Sequence, residues 1–403
     1  MNAARGDGAC GEHDDGSSRD FVNPLLALKP GHAPHERLPW RNVLAPMEGV
    51  GHPAFRHAIA AQGGLDLVCT EFVRVTSSEL NPELIRRAIQ PSPGVALSVQ
   101  VMGNVAERMA EAARYVSEAG AAVIDVNLGC PMPRIVKKGV GAAMLKEPKL
   151  LFEVLSQMRE ATPGLLSAKI RAGFDDAEHV LEIARTVEAA GVDFISVHPR
   201  RRADFYSGVA DWRIVGLLAR ELTVPVIGNG DLWYAASALH LQEETRCAAL
   251  MIGRPAIRNP WIFRQLAELR AGREAFEPTP RDVLEYLHAT VDRYVPVFRH
   301  VRGQGVLGKL KELCTFVSRG ILGGDEFLGR VRRAQSLDEF KGVSERFLSA
   351  LPQEHLDLGP RPRLGLERVG TANGAESDRE VRVRGHGGGF GSGCVGPTLA
   401  DPC

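Results

Sequence analysis

The chain has 403 residues, enough for two or three domains at roughly 150 residues each, so it can bury a large core without disulfide or metal staples. Charged residues make up 24% and apolar residues 44%, which excludes a wholly disordered chain. The 49 Lys and Arg balance 49 Asp and Glu, which excludes a uniformly basic nucleic-acid binder and leaves room only for a local basic patch.

No apolar run is long enough to span a bilayer. Seven Cys with no CxxC pair argue against a disulfide framework or a zinc site. Residues 1–38 are rich in Gly, Asp, Ser and Pro without apolar period, and read as a disordered lead-in. They lack the basic start and apolar stretch of a signal peptide, so the expected location is cytoplasmic. Eight short apolar or β-branched runs follow, at 42–46, 67–70, 97–101, 123–127, 166–170, 194–198, 225–229 and 249–252. Their starts are 24 to 43 residues apart, near the length of one strand-helix-strand unit. Helical patterns lie between them. Over 104–118, Val105, Met109, Ala112, Ala113 and Val116 form one stripe, and Gly120 is the expected C-cap. The segments "EAGAAVIDV" (118–126) and "EAAGVDFISV" (188–197) repeat one device: helix end, glycine, buried strand.

Near-continuous apolar strands joined by helices imply a parallel sheet covered on its outer face. Eight of them predict a (β/α)8 barrel over residues 39–275. A doubly wound sheet is the competing fold, weakened by the lack of GxGxxG after the first strand. Residues 276–352 read as a small helical domain, with amphipathic stretches at 283–291 and 306–317. Residues 353–403, carrying "RGHGGGFGSGCVG", read as a disordered Gly-rich tail.

Functional side chains of such a barrel cluster at the C-terminal strand ends. The polar residues there are Pro46-Met47-Glu48, Glu71, Gln100, Asn127 with Cys130, Lys169 with Arg171, His198, Asn229-Gly230-Asp231 and Gly253-Arg254. The glycines after the last two strands fit a phosphate site, with Arg254 as a fork of donors, though each alone also fits a tight turn. Lys169 is placed to face the electron-rich edge of a bound ring. The longest interval, 43 residues, opens with "NLGCPMPRIVKKGVGAAML" (127–145), which sets Cys130 in a loop at the barrel mouth. A thiol with a pKa near about 8.5 is mostly protonated at neutral pH and can serve as a proton donor. Cys69 and Cys247 read as inert core thiols, and Lys137 and Lys138 either tune Cys130 or are solvated charges. His198, followed by Arg200-Arg201-Arg202, favours an anionic ligand. Arg299, His300, Arg302, Lys309 and Lys311 add basic groups to the helical part, which holds 12 Lys and Arg against 9 Asp and Glu over 281–350.

The motifs "LAPMEGVGHPAFR" (44–56), "TEFVR" (70–74), "VQVMG" (99–103), "DVNLGCP" (125–131), "KIRAGFDD" (169–176), "VHPR" (197–200), "GNGD" (228–231) and "IGRPA" (252–256) resemble a tRNA-dihydrouridine synthase across roughly residues 40–350. The resemblance implies that Pro46, Met47, Glu48, Gln100, Lys169, His198, Asn229, Gly230, Asp231, Gly253 and Arg254 hold FMN. Cys130 would be the catalytic acid, and Asn127, Arg171 and Arg200 would meet substrate. The implied reaction is reduction of a uridine 5,6 double bond in tRNA, with NADPH as transient reductant, no metal and a monomeric enzyme. The alternative is an FMN barrel acting on a free pyrimidine or other small enone. One departure stands out: where the family has HGRT, this chain has His198-Pro199-Arg200-Arg201, which removes a backbone donor from the loop.

Overall fold

The structure, a computed structural model, describes residues 33–78, 80–299, 305–352 and 356–360. Eight parallel strands close into a barrel: β1 (Asn42–Leu44), β2 (Leu67–Cys69), β4 (Ala96–Met102), β5 (Val123–Leu128), β6 (Leu165–Arg171), β7 (Phe194–His198), β8 (Val226–Asn229) and β9 (Ala249–Ile252), with β9 pairing back onto β1. A two-residue strand, β3 (Val73–Arg74), lies on β4 beside the ring and was not legible as an apolar run. The helices α1 (Pro53–Ala60), α2 (Pro82–Ala88), α3 (Ala106–Glu118), α4 (Pro133–Val136), α5 (Pro148–Ala161), α6 (Val180–Ala189), α7 (Trp212–Glu221), α8 (Ala235–Thr245), α9 (Arg254–Arg258) and α10 (Ile262–Arg270) follow the strands.

Four of the five residues of the predicted stripe, Met109, Ala112, Ala113 and Val116, are fully buried on α3; the fifth, Val105, is the N-cap ahead of the helix and only partly buried. Both repeated helix-to-strand turns place their glycine at positive φ, 82° at Gly120 and 91° at Gly191, where a side chain would be strained. The long interval between β5 and β6 holds α4 and a 3-10 turn, Gly141–Lys146, ahead of α5. Alternation along the strands sorts two cores. One face packs on the helices, and the other fills the barrel base with Val43, Leu67, Val123, Leu165, Phe194 and Ile227. Leu38 and Trp40 plug that base, Trp40 meeting Phe194 edge-on at 6.3 Å. Leu38 is therefore core rather than lead-in. Residues 1–32 lie outside the described residues.

The helical part comprises α11 (Pro280–Phe298), α12 (Gly305–Val317), α13 (Gly324–Arg333) and α14 (Leu337–Leu348). Thr279 and Asp282 form a capping box that starts α11. Its apolar residues belong to the same continuous core as the barrel's outer face. His52, which caps α1, stacks edge-on against Tyr294 and Phe298 of α11, with ring centroids 4.8 and 4.7 Å away. Lys309 of α12 donates to the Gly49 carbonyl at 3.0 Å. The helices thus grip the loop that follows β1.

Residues 356–360, expected in the disordered tail, are docked instead. Leu356 bridges to Ile321, and the Leu358 carbonyl accepts from Asn259 and Gln265 at 3.2 and 2.7 Å. Asp357 pairs with Arg258, and Leu358 is 1% exposed. Apolar burial and buried carbonyl acceptors outweigh the polar composition around them. Leu358→Ala is expected to cost about 2–3 kcal/mol in urea denaturation, the low end for a buried Leu truncation. No loss would mean the segment is not held there. The remainder of the tail lies outside the described residues.

Candidate active site

A cavity opens at the C-terminal ends of the barrel strands. Pro46, Met47, Asn127, Cys130, Lys169, Arg171, His198, Arg200, Asn229, Gly230, Asp231, Gly253 and Arg254 all line it. These are thirteen of the fifteen residues expected to hold cofactor or substrate or to act on it. Glu48 and Gln100 do not line it. Glu48 is held between Arg74 and Arg134, 2.9 Å from each, and Gln100 is fully buried below the cavity.

The lining side chains carry four cations and one carboxylate, Asp231. That carboxylate is spent: Arg200 grips it through both guanidinium nitrogens, at 3.0 and 2.8 Å. Arg200 also donates to the Ser207 and Gly208 carbonyls, at 3.0 and 2.7 Å. Arg171 likewise braces the backbone, donating to the carbonyls of Gly129, Arg201 and Phe205 at 2.8, 3.0 and 2.6 Å. Both arginines, expected to meet substrate, are committed to holding loops. Arg201 pairs with Asp204, and Arg202 lies over the rings of Phe174 and Phe205. The triple Arg is therefore mostly internal scaffolding.

Lys169 and Arg254 remain. Lys169 has no hydrogen-bond or ion-pair partner among the described residues, and burial with Arg171 nearby lowers its pKa to about 8. Arg254 lies over the Tyr206 ring, 4.4 Å from its centroid, and pairs with no carboxylate among the described residues. Tyr206 itself was missed. The only sign of it in the sequence is an aromatic residue in the loop after the three arginines, and a loop aromatic says nothing of what it stacks on.

His198 is held neutral: burial and the surrounding Arg171, Lys169, Arg200 and Arg254 push its pKa well below the ordinary range. Arg200 Nη1 sits 3.3 Å from His198 Nε2. A guanidinium can only donate, so Nε2 accepts and the ring hydrogen belongs on Nδ1. The Pro199 carbonyl accepts from the Asp211 N–H at 3.3 Å, and His198 faces the cavity. Gly230 has φ 118°, and a Cβ there would sit 2.9 Å from His198 Cδ2, so only glycine fits.

Cys130 is 2% exposed. Its backbone N–H donates to Asn127 Oδ1 at 2.9 Å, and that of Gly129 does so at 3.2 Å. Cys69, Cys247 and Cys314 are free and buried. Burial raises the pKa of Cys69 and Cys247, in keeping with inert core thiols. Asn127 and Lys169 are direct neighbours across β5 and β6, and both line the cavity with Cys130.

Among the described residues, no helix is long and apolar enough to cross a membrane, and no cluster of His, Cys, Asp and Glu could hold a metal ion. The chain is 37% identical to tRNA-dihydrouridine synthase B of Pseudomonas syringae pv. tomato, over 56% of this chain and 67% of that one. It is 38% identical to tRNA-dihydrouridine(16) synthase of Haemophilus ducreyi, over 63% and 81%. With that of Aquipseudomonas alcaligenes it shares 31% identity, over 73% and 96%. The family model for dihydrouridine synthase matches residues 43–327, the barrel and much of the helical part together. A closed parallel barrel whose mouth combines Cys130, an unpartnered Lys169 and a neutral His198 thus carries that family's pattern across most of its length, and the chain belongs to the dihydrouridine synthase family.

Proposed function

We propose that the chain reduces a uridine 5,6 double bond in tRNA, with FMN held in the cavity and NADPH as reductant. The observation that carries this reading is the pairing of a placed cysteine with an unpartnered cavity lysine on adjacent strand ends. The lining fits a flavin mononucleotide. Arg254, with the neutral His198 as donor, suits a phosphate, Lys169 suits the electron-rich ring edge, and Ala45, Met47 and Met251 offer apolar surface to the ring. Bound there, FMN would take hydride from NADPH and deliver it to C6 of the uracil. Cys130, as the reduced thiol, gives its proton to C5, becomes a thiolate and is reprotonated from solvent. Arg171 and Arg200 line the cavity and brace its loops through backbone carbonyls. The helices of residues 276–352 offer the surface for the rest of the tRNA.

Deletion of the gene is expected to lower dihydrouridine in bulk tRNA, and the native gene to restore it. Unchanged dihydrouridine at every site, or equal turnover of free uridine without RNA, would overturn the reading.

Lys169 gives the cavity a pH dependence. Its free-state pKa is about 8, and an electron-rich ring edge favours the charged ammonium, so binding raises that pKa. Flavin affinity is therefore full below about pH 8 and falls by up to about tenfold per unit above it, as the lysine must first take up a proton. Fluorescence titration near pH 7 and pH 9 measures this. Lys169→Met should bind more weakly and lose the slope; a slope retained in that variant would exclude the lysine as its source.

A further inference from the structure

A line of polar side chains runs inside the barrel beneath the cavity, and only its last member, Asn127, lines the cavity itself. Ser167 Oγ donates to Asp125 Oδ1 at 2.6 Å, and Gln100 Nε2 donates to Asp125 Oδ2 at 2.7 Å. Asn127 Nδ2 donates to Gln100 Oε1 at 2.8 Å. The line ends on the Cys130 turn, where the backbone N–H groups of Gly129 and Cys130 donate to Asn127 Oδ1. All four side chains are buried, Asp125 to 1% exposure and Gln100 to none. The members come from β4, β5 and β6, so the barrel itself fixes their spacing.

The chain has a direction. Burial pushes the Asp125 pKa up, against the hydrogen bonds from Ser167 and Gln100 and the nearby Lys169. A proton it takes up can sit on Oδ1 toward the Ser167 hydroxyl, so Oδ2 accepts from Gln100 in either state, and a backbone N–H only donates. Between those two ends, each amide has one orientation that satisfies both neighbours. Asp125 draws Nε2 of Gln100 toward itself, which presents Oε1 to Asn127. Oε1 in turn draws Nδ2 of Asn127, which leaves Oδ1 for the turn. Reversing either amide sets oxygen against oxygen or N–H against N–H in a buried site, where such a mismatch is not offset by water. The acceptor at the bottom of the barrel thus determines which atom of Asn127 meets the Cys130 turn.

We propose that Asp125 is a positioning residue which, through Gln100 and Asn127, fixes the Cys130 turn at the cavity. The proposal rests on Cys130 being the proton donor, and its test does not require turnover.

The full-length protein, reduced and with equal flavin content in each variant, is treated with iodoacetamide, and alkylation at each cysteine is followed by peptide mass spectrometry. Gln100→Met keeps the volume and removes both amide contacts. It is expected to speed Cys130 alkylation about tenfold or more while Cys247 and Cys314, both buried, keep their native rates, which separates a loosened turn from global opening. Asp125→Ala should do the same. Asp125→Asn removes the charge but keeps an acceptor for Gln100, with its NH2 facing the Ser167 hydroxyl, and is expected to return Cys130 to within about threefold of native. With tRNA, Gln100→Met should lower kcat about tenfold or more and leave the KM for RNA unchanged, as a misplaced donor would.

Unchanged Cys130 alkylation in Gln100→Met overturns the proposal. So does an Asp125→Asn variant as reactive as Asp125→Ala, because charge and not chain direction would then be what matters. If Asp125→Ala does not fold, Gln100→Met decides alone. A native protein inactive on tRNA but with the expected alkylation pattern would refute the reaction and leave the positioning chain standing.

Discussion

Cys130→Ala is expected to lower the uridine-reduction step by about 10²- to 10⁴-fold, the range that one well-placed general acid contributes. The side chain packs in a small cluster with Met102, Ile135 and Val140, and the backbone N–H of residue 130 still reaches Asn127 in the variant. Flavin retention and tRNA affinity should therefore stay within about threefold of native, so that the loss falls on kcat. Rapid mixing of the reduced, flavin-loaded variant with tRNA isolates that step. Cys130→Ser separates two ways of losing activity. A hydroxyl fills nearly the same space but is a far weaker acid than a thiol, so serine should resemble alanine. Recovery with serine would mean that the side chain packs or hydrogen-bonds rather than donates the proton. The assays need a reductant, because only the free thiol carries the proton.

The barrel was legible because its strands are buried on both faces. Such strands read as short apolar runs, and Gly120 and Gly191, which follow α3 and α6, mark where the next strand begins. The observed strands begin and end within two residues of the runs read from the sequence. The ordering of polar residues at the strand ends was legible for the same reason, since strand direction fixes which end is the mouth. Residue type could not reveal what each polar group pairs with. Gln100 sits at a strand end, yet its amide is taken up by Asp125 and Asn127 of the next strand. Glu48 is a carboxylate near the mouth, but Arg134, 86 residues away, holds it outside the cavity. The stretch around Leu358 looks like tail because its neighbours are polar and glycine-rich. Its burial depends on carbonyl partners supplied by Asn259 and Gln265, which no local pattern encodes.

The second large effect is expected at Asp231, and it concerns stability. Arg200 is 4% exposed in its side chain, and the Asp231 carboxylate meets two of its guanidinium nitrogens. Removing one member of a buried pair leaves the other charge without its counter-ion, which costs about 3–5 kcal/mol. Asp231→Ala should lose that much, together with the bond from the Ala210 N–H, which Asp231 accepts at 2.8 Å. The backbone adds to the effect. Asp231 has φ 54°, a conformation that Asp and Asn adopt more readily than Ala. Asp231→Asn keeps the conformation and one acceptor, so its loss should be roughly half that of alanine. Replacing both partners, Arg200→Met with Asp231→Asn, removes the stranded charge and should recover stability relative to Asp231→Ala, while flavin retention stays poor because the loops around Ser207 and Gly208 lose their brace. Urea denaturation of the four proteins, read beside their flavin content, checks both parts. If Asp231→Ala unfolds at the native midpoint, the pair does not hold the mouth of the barrel.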